Sequence, residues 1–538
     1  MSTRALLALC VLSGAAAAPL QAATAAHTPA APRSTIADHY AVEDLAMPPG
    51  LDSQVGALTM TPSGKLVACF HRGEVLIYDP ATKQWHPFAF GLHEPLGVIA
   101  ISDRELLIMQ RPELTRVIDS DGDGVADRYE TVTDQFGMSG NYHEFAFGPV
   151  QDKDGNYFIS LNVASQGAGI FKEVRGTYGH LGVSRDDAED HWDQAKSRIG
   201  RMYSAVPYRG WVLKIDARSG AITPWACGFR SPDGLGFDGA GHLLVTDNQG
   251  DWLGSSKLFT VVQGGFYGHP ASLVWRPDWK LGDPLALPVA KLDELRTRET
   301  VFFPQTIMAC SPTQPLLDAS AGKFGPYAGQ VFVGEMNTAR LMRVLTEEVG
   351  GGFQGACLPF YDRGGLSAGN HRMVFDQQGG LYIGHTALSW AGGKGIQRMT
   401  WKGTAPFDLL GISLTKDGFS LQFTKPGDPA TLKPENFSFR RYYYEYHEAY
   451  GCDTLDVAPV AVTAAAVSKD ARGVVLTLAE LKPGYIYELT MKGVTAQDGE
   501  AVANTLVCYT INHLRDGTPA PAQIPGTGAA KPEQKKKK

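Results

Sequence analysis

The residues of this chain best equipped for chemistry are one histidine, two arginines and two acidic turns. His143 opens the segment HEFAFGPVQDKDGNYFISLN, where an apolar alternation begins. An imidazole titrates near neutral pH and can take a proton from a substrate hydroxyl there. Arg230 precedes Ser231-Pro232-Asp233-Gly234 and Arg372 precedes Met373-Val374-Phe375, the same point in two similar segments. Pro232 keeps the residue before it out of the helical region, so Arg230 belongs to a loop that empties into a strand. Between the arginines, Asp247-Asn248-Gln249-Gly250-Asp251-Trp252 leaves a strand with several oxygen donors, a glycine and an aromatic ring. Such a turn is either a site or a set of side chains that satisfies only its own backbone.

The second acidic turn is the more specific motif. Asp119, Asp121, Asp123, Asp127 and Glu130 fall at the first, third, fifth, ninth and twelfth positions of a calcium-binding loop, with Val125 at the seventh and Gly124 at the glycine position between. The flanks read as strands and turns, not as the paired helices of a calcium sensor, which makes this a structural calcium loop. The alternative is an exposed acidic turn without metal.

What must position these groups is a repeat. Residues 56–70, 143–162, 233–248 and 371–386 each read as an alternating strand, a turn of Asp, Gly, Ser or Gln, and a second alternating strand, which is a β-hairpin. Fainter copies occupy 96–110 and 329–345. Units of short strands that cannot bury both faces alone stack around a channel, so the expected fold class is all-β, a six-bladed β-propeller over residues 46–402. In a propeller, equivalent strand ends converge on one mouth, where His143, Arg230 and Arg372 would share a pocket suited to an anionic cofactor. Residues 172–209 and 271–300 break the hairpin period and read as long insertions on one face, of the kind that cover or build a site. From 406 to 514 the strand spacing changes, and a small Ig-like β-sandwich is expected. Its run Tyr442-Tyr443-Tyr444, with Tyr446 and Tyr450, suits core and an interface against the propeller, or a sugar-stacking surface.

Composition sets the outer limits. Of 538 residues, 43% are hydrophobic and 20% charged, enough for full cores and too apolar for a disordered chain. A net charge of −7 gives no general attraction to nucleic acid or anionic lipid, so the partner is a small molecule or another protein. Residues 1–25 carry Arg4, an apolar run and Ala23-Thr24-Ala25, a secretory signal too short for a retained membrane span. The protein is therefore expected in the periplasm or secreted, with no transmembrane anchor. A flexible leader is expected at 26–45 and a disordered Lys-rich tail at 515–538. Six cysteines follow the signal, and Cys452 with Cys508 is the pair expected to join. No C-x-x-C-H is present for an attached haem.

His143 opening a G-P-x(n)-D-G hairpin, then Gly228-Phe229-Arg230-Ser231-Pro232-Asp233-Gly234, then Gly264-Gly265-Phe266-Tyr267-Gly268-His269-Pro270, then Asn370-His371-Arg372-Met373 resemble the soluble quinoprotein aldose/glucose dehydrogenases and the L-sorbosone dehydrogenase-like proteins. The resemblance extends over most of residues 50–402. It implies pyrroloquinoline quinone (PQQ) in the propeller mouth with Ca²⁺ beside it. His143 would be the base toward the sugar C1 hydroxyl, Arg230 would contact the quinone oxygens, and Arg372 would pair with a PQQ carboxylate. Ser231 falls at another cofactor-contacting position, Asn337 and Thr338 lie with Arg340 in the region of a family lysine that contacts the quinone and has no counterpart here, and Gly250 and Asp251 fall at the calcium-ligating segment. Two positions depart from the pattern: Tyr142 replaces the carboxylate before the base, and Ser231 replaces an asparagine.

Three functions follow for testing. The first is an exported PQQ-dependent dehydrogenase that oxidises an aldose, an L-sorbosone-like aldehyde or a related sugar and passes electrons to a separate cytochrome or other acceptor. The second is a non-catalytic carbohydrate- or protein-binding propeller. The third is a calcium-dependent lactonase with Asp247, Asn248 and Asp251 around the metal.

Overall fold

The computed structural model describes residues 35–165, 173–176, 202–387 and 392–522. The expected signal, the leader up to residue 34, most of the 172–209 insertion and the lysine-rich end of the tail lie outside the described residues. Within them no helix is long and apolar enough to cross a membrane.

The chain lays down six antiparallel sheets in succession, five of them four-stranded and the other, fifth in order, part of a larger sheet. Their first strands are Val55–Met60, Gly97–Ser102, Ala146–Gln151, Pro232–Phe237, Pro312–Leu317 and Asn370–Phe375. Each first strand touches the next, and the sixth returns to the first, which closes a propeller-like ring. Side chains are excluded where the first strands crowd together. A Cβ on Gly97 would sit 1.4 Å from the Gly148 carbonyl oxygen, and one on Gly236 would sit 2.1 Å from that of Pro315. Second strands such as Leu66–Phe70 are buried throughout, because neighbouring sheets cover both faces. The all-β expectation holds, and five of the six expected hairpins are the first two strands of a sheet.

The copy at 329–345 is displaced by one strand. It forms the second and third strands of the fifth sheet, Val331–Glu335 and Arg340–Val349, and the first strand is Pro312–Leu317. Pro312 and Pro315 break the alternation that would have marked it. The leader is also shorter than expected. Residues Ile36–His39 form a helical turn, and Tyr40–Asp44 is the outer strand of the sixth sheet, with Tyr40 opposite Trp401 and Asp44 opposite Gln397. Tyr40 is 1% exposed and its hydroxyl donates to the Phe324 carbonyl at 2.8 Å. A five-residue strand whose partners lie some 360 positions away leaves no local pattern to read.

The C-terminal region is continuous with the ring. Gly352–Asp362, the outer strand of the fifth sheet, pairs with Leu506–Thr510, and Ile486–Met491, Phe437–Tyr443 and Leu455–Val460 extend the sheet to eight strands. A second sheet of Leu409–Leu414, Gly418–Phe423, Gly473–Leu478 and Val462–Val467 shares one core with it. Phe419 stacks on Phe439 across that core at 5.5 Å. Burying such a ring contributes about 1.5–3 kcal/mol.

The expected Cys452–Cys508 bond is not formed, and all six described cysteines are free. Cys508 stands opposite Cys357 in the eight-stranded sheet, whereas Cys452 lies against Gly254 of the ring, carried there by the strand Tyr446–Tyr450.

Candidate functional site

His143 sits on the loop that leads into the third sheet, and hydrogen bonds fix that loop at several points. The Asn141 carboxamide oxygen accepts the N–H groups of His143 (2.9 Å) and Ser165 (3.2 Å). Below it, the fully buried Arg209 donates to the carbonyls of Gly137 (2.9 Å), Glu144 (3.0 Å) and Phe145 (3.2 Å). The Glu144 carboxylate accepts the Ser139 N–H at 2.8 Å. His143 Nδ1 lies 2.7 Å from the Val163 carbonyl, which can only accept, so Nδ1 carries the hydrogen and Nε2 holds the lone pair. Burial, reinforced by the Arg230 charge, presses the imidazole pKa down to about 3. A neutral base is the result.

Arg230 lies on the loop before the fourth sheet. Its N–H (3.1 Å) and that of Ser231 (2.7 Å) bind the two oxygens of Asp247, which also has Lys257 Nζ at 3.7 Å. The guanidinium places Nε 3.3 Å from Asp251 Oδ1, and Asp251 Oδ2 meets His269 Nε2 at 3.2 Å. Burial alone would raise the Asp251 pKa, but His269 and Arg230 outweigh it and hold the carboxyl at about 2. Position 250 is glycine because the arginine stem lies on it: a Cβ there would come within 2.1 Å of Arg230 Cδ.

His143 and Arg230 share a cavity of about 340 Å³, with Ser231, Asn248, Gln305, Asn337 and Tyr450 among its lining residues. Among the described residues, Asn248 Oδ1 and Gln305 Oε1 are buried without a hydrogen-bond partner. Arg230 and Lys257 are balanced by Asp247 and Asp251, so the wall offers one guanidinium, already paired, beside a set of neutral donors and acceptors.

The other expected residues divide. Ser231 and Asn337 line the cavity, but Thr338 turns away and gives both its N–H and its hydroxyl to Glu335 Oε2 at 2.5 Å. Arg372 does not reach it. The side chain points into the ring, 5% exposed, and donates to the carbonyls of His371 (2.8 Å), Asp233 (3.0 Å) and Leu96 (3.4 Å) over the Phe147 ring. Its neighbour His371 is buried as well, with Nε2 3.2 Å from Asp233 and Nδ1 2.9 Å from the Val55 carbonyl. Arg372 is thus a structural cation of the ring. Trp252 packs against Tyr446 at 5.5 Å. Sequence reasoning missed Arg209 and Gln305, which act through distant partners and carry no local motif, whereas Tyr450, expected at an interface against the propeller or on a sugar-stacking surface, lines the cavity.

In the acidic loop, Asp119, Asp121 and Asp123 bring oxygens within 4.8 Å of one another. Asp127 instead accepts from the N–H (2.9 Å) and hydroxyl (2.6 Å) of Ser120, and Glu130 pairs with Arg128 on the strand Arg128–Thr133. Val125 is exposed, with its N–H on Asp123 at 2.8 Å.

The donor set of the cavity fits a quinone in part. Arg230, the amides of Asn248, Gln305 and Asn337, and the neutral His143 can hold its oxygens and face its substrate. It does not fit a calcium ion at Gly250 and Asp251. The Gly250 carbonyl accepts the Gly451 N–H at 3.0 Å, and both Asp251 oxygens are occupied by Arg230 and His269. The same engagement removes the metal that a lactonase would need from Asp247 and Asp251.

No family model matches the chain, and no curated protein matches it. Among solved structures it is similar to a PQQ-bound aldose sugar dehydrogenase from Streptomyces coelicolor, at 14% identity and a TM-score of 0.43 over 67% of this chain and 98% of that one. It is also similar to a soluble aldose sugar dehydrogenase from Escherichia coli in the apo-form, at 13% and 0.43 over 68% and 100%. A third is the PQQ domain of a pyranose dehydrogenase from Coprinopsis cinerea, at 12% and 0.43 over 69% and 99%. At such identities and scores the cofactor and substrate of those proteins do not transfer to this chain.

Proposed function

We propose that the chain is an exported sugar dehydrogenase: a six-bladed β-propeller at 46–402, joined to an Ig-like β-sandwich at 406–514, that oxidises an aldose or an L-sorbosone-like sugar aldehyde with PQQ. The observation that supports this best is the neutral His143, its Nδ1–H tied to Val163 and its Nε2 in the same cavity as Arg230. A substrate hydroxyl within reach of Nε2 gives up its proton to the imidazole, which the Val163 carbonyl holds in orientation. Arg230, fixed by Asp251, offers its remaining N–H groups to the cofactor oxygens, and Asn337 and Ser231 add polar contacts. When bound, PQQ supplies a two-electron acceptor at the substrate carbon. With no haem-attachment motif in the sequence, the electrons leave to a separate cytochrome or dye. Calcium belongs to the Asp119 loop in this scheme, as a structural ion.

Titrating the purified protein with PQQ should produce quinone absorbance and sugar-dependent dye reduction, both at 1:1 saturation, and His143→Ala should lose the second while keeping the first. Absence of both in the unmodified protein would remove the dehydrogenase. Saturable sugar binding without dye reduction would mark a binding protein, a reading favoured by the unpartnered acceptors Asn248 Oδ1 and Gln305 Oε1.

A further inference from the structure

We propose that the C-terminal domain completes the substrate cavity and that Tyr450 selects uncharged sugars there, a step that rests on the cavity being the substrate site. The strand Asp251–Leu253, which leaves the fourth sheet beside Arg230, pairs antiparallel with Tyr446–Tyr450 of the C-terminal domain, placing Asp251 opposite Tyr450 and Leu253 opposite Tyr446. The pairing is continued by the Gly451 N–H on the Gly250 carbonyl (3.0 Å) and the Cys452 N–H on that of Gly254 (3.2 Å).

The base of this strand is locked. Tyr446 is buried, donates its hydroxyl to the Gly268 carbonyl, packs on Trp252 and lies under the Arg296 guanidinium at 4.8 Å. The tip is therefore held in place, and it carries Tyr450 into the cavity wall. There the ring lies 5.4 Å from the Arg230 guanidinium and is 47% exposed.

What the wall presents is specific in kind. An aromatic ring shares the wall with the polar side chains of His143, Asn248 and Gln305, and the buried amide oxygens of the last two have no protein partner. A sugar offers the complement, an apolar C–H face and hydroxyl donors. With Arg230 shared between Asp251 and the anionic cofactor, a further carboxylate or phosphate on the substrate would find no cation left in the wall and would be desolvated without compensation. Neutral aldoses fit this cavity, and sugar acids and sugar phosphates do not.

The test compares full-length wild type, Y450A and Y450F after PQQ reconstitution, with D-glucose, D-galactose, D-xylose, D-glucuronate and glucose 6-phosphate as probes. Expected is a roughly tenfold higher KM for the neutral sugar used best in Y450A, with kcat within about twofold, unchanged PQQ affinity by absorbance titration, and rescue by Y450F. The charged probes should be at least tenfold poorer than glucose in wild type. Gly254→Val supplies an independent arm, since its Cβ would come within 2.2 Å of Cys452 Cβ and displace the strand without altering Tyr450. It should reproduce the KM effect in protein whose circular dichroism is unchanged. An unaltered KM in Y450A, or equal use of glucuronate and glucose, overturns the proposal while leaving the dehydrogenase standing. If wild type shows no turnover, calorimetry with the same sugars reads the same contrast. Sugar binding weakened in Y450A then keeps the proposal without the dehydrogenase, and no sugar binding in wild type ends both.

Discussion

Arg230 Nε and Asp251 Oδ1 lie 3.3 Å apart in a buried pair, and the second oxygen of that carboxylate meets His269 at 3.2 Å. The aspartate expected to ligate a metal therefore holds a cation of the protein itself. Removing one partner of a buried pair leaves the other charge uncompensated, which costs about 3–5 kcal/mol. Asp251→Ala should lower the free energy of unfolding by that much, read as a lower urea midpoint at unchanged m, and Asp251→Asn should lose less. The native carboxyl titrates at about 2, below its ordinary 3.8, so its contribution is complete above pH 4 and is lost as pH falls toward 2. An Asp251→Asn protein should show a flatter acid limb of stability in that window. Equal acid limbs in the two proteins would mean that the pair is not formed.

As the proposed base, His143 should set the pH dependence of turnover. With its pKa held at about 3 by burial and by Arg230, the base is unprotonated throughout the neutral and mildly acidic range. The kcat/KM for a neutral sugar should stay flat from pH 7 to pH 5 and not fall through 6.5. Since the unfolded chain binds the proton first, this group also removes stability as pH falls from 6.5 toward 3. His143→Gln should cost 10²-fold or more in kcat and abolish that part of the acid destabilisation. A kcat/KM limb near pH 6.5 in wild type would show an imidazole that is solvated and charged.

Arg372 illustrates what one sequence conveys and what it does not. The motif placed it at a first-strand start, and there it is, at the third residue of Asn370–Phe375. The register shifts between Asn370 and Arg372, so simple alternation does not set which way the two side chains point, and both His371 and Arg372 reach Asp233. Repeats revealed the hairpins because their alternation is local, and turn chemistry revealed the Arg230 loop. Tyr40–Asp44 and the strand partner of Asp251 stayed hidden, because their pairing energy comes from residues about 360 and 200 positions away. The calcium at Gly250 failed for a related reason: spacing gives the oxygens but not the arginine and histidine that occupy them.

A structural role for Arg372 has its own consequence. Its guanidinium ties the carbonyls of Leu96, Asp233 and His371, which belong to three different sheets of the ring or their leading loops. Arg372→Ala should destabilise by about 3–5 kcal/mol, whereas the protein that remains folded should bind PQQ with unchanged affinity. A loss of PQQ affinity larger than tenfold at full folding, measured by absorbance titration, would return the residue to the cofactor.

The acidic loop predicts where calcium acts. Asp119, Asp121 and Asp123 hold like charges within 4.8 Å, a repulsion that an ion relieves and that Arg104, 3.5 Å from Asp119, relieves only on one side. Asp127 and Glu130 must leave Ser120 and Arg128 to complete the coordination, so binding should be weaker than in a preformed loop. Calcium at about one hundred times its dissociation constant should add about 2.7 kcal/mol, visible as a rise in Tm that a chelator reverses. Asp121→Asn with Asp123→Asn should abolish the rise. Because the carboxylates near His143 are already paired, the double variant should still bind PQQ, and should do so with or without the chelator. Chelator-sensitive PQQ binding in that variant would place a second ion in the cavity, and with it a rearrangement of Asp251 away from Arg230.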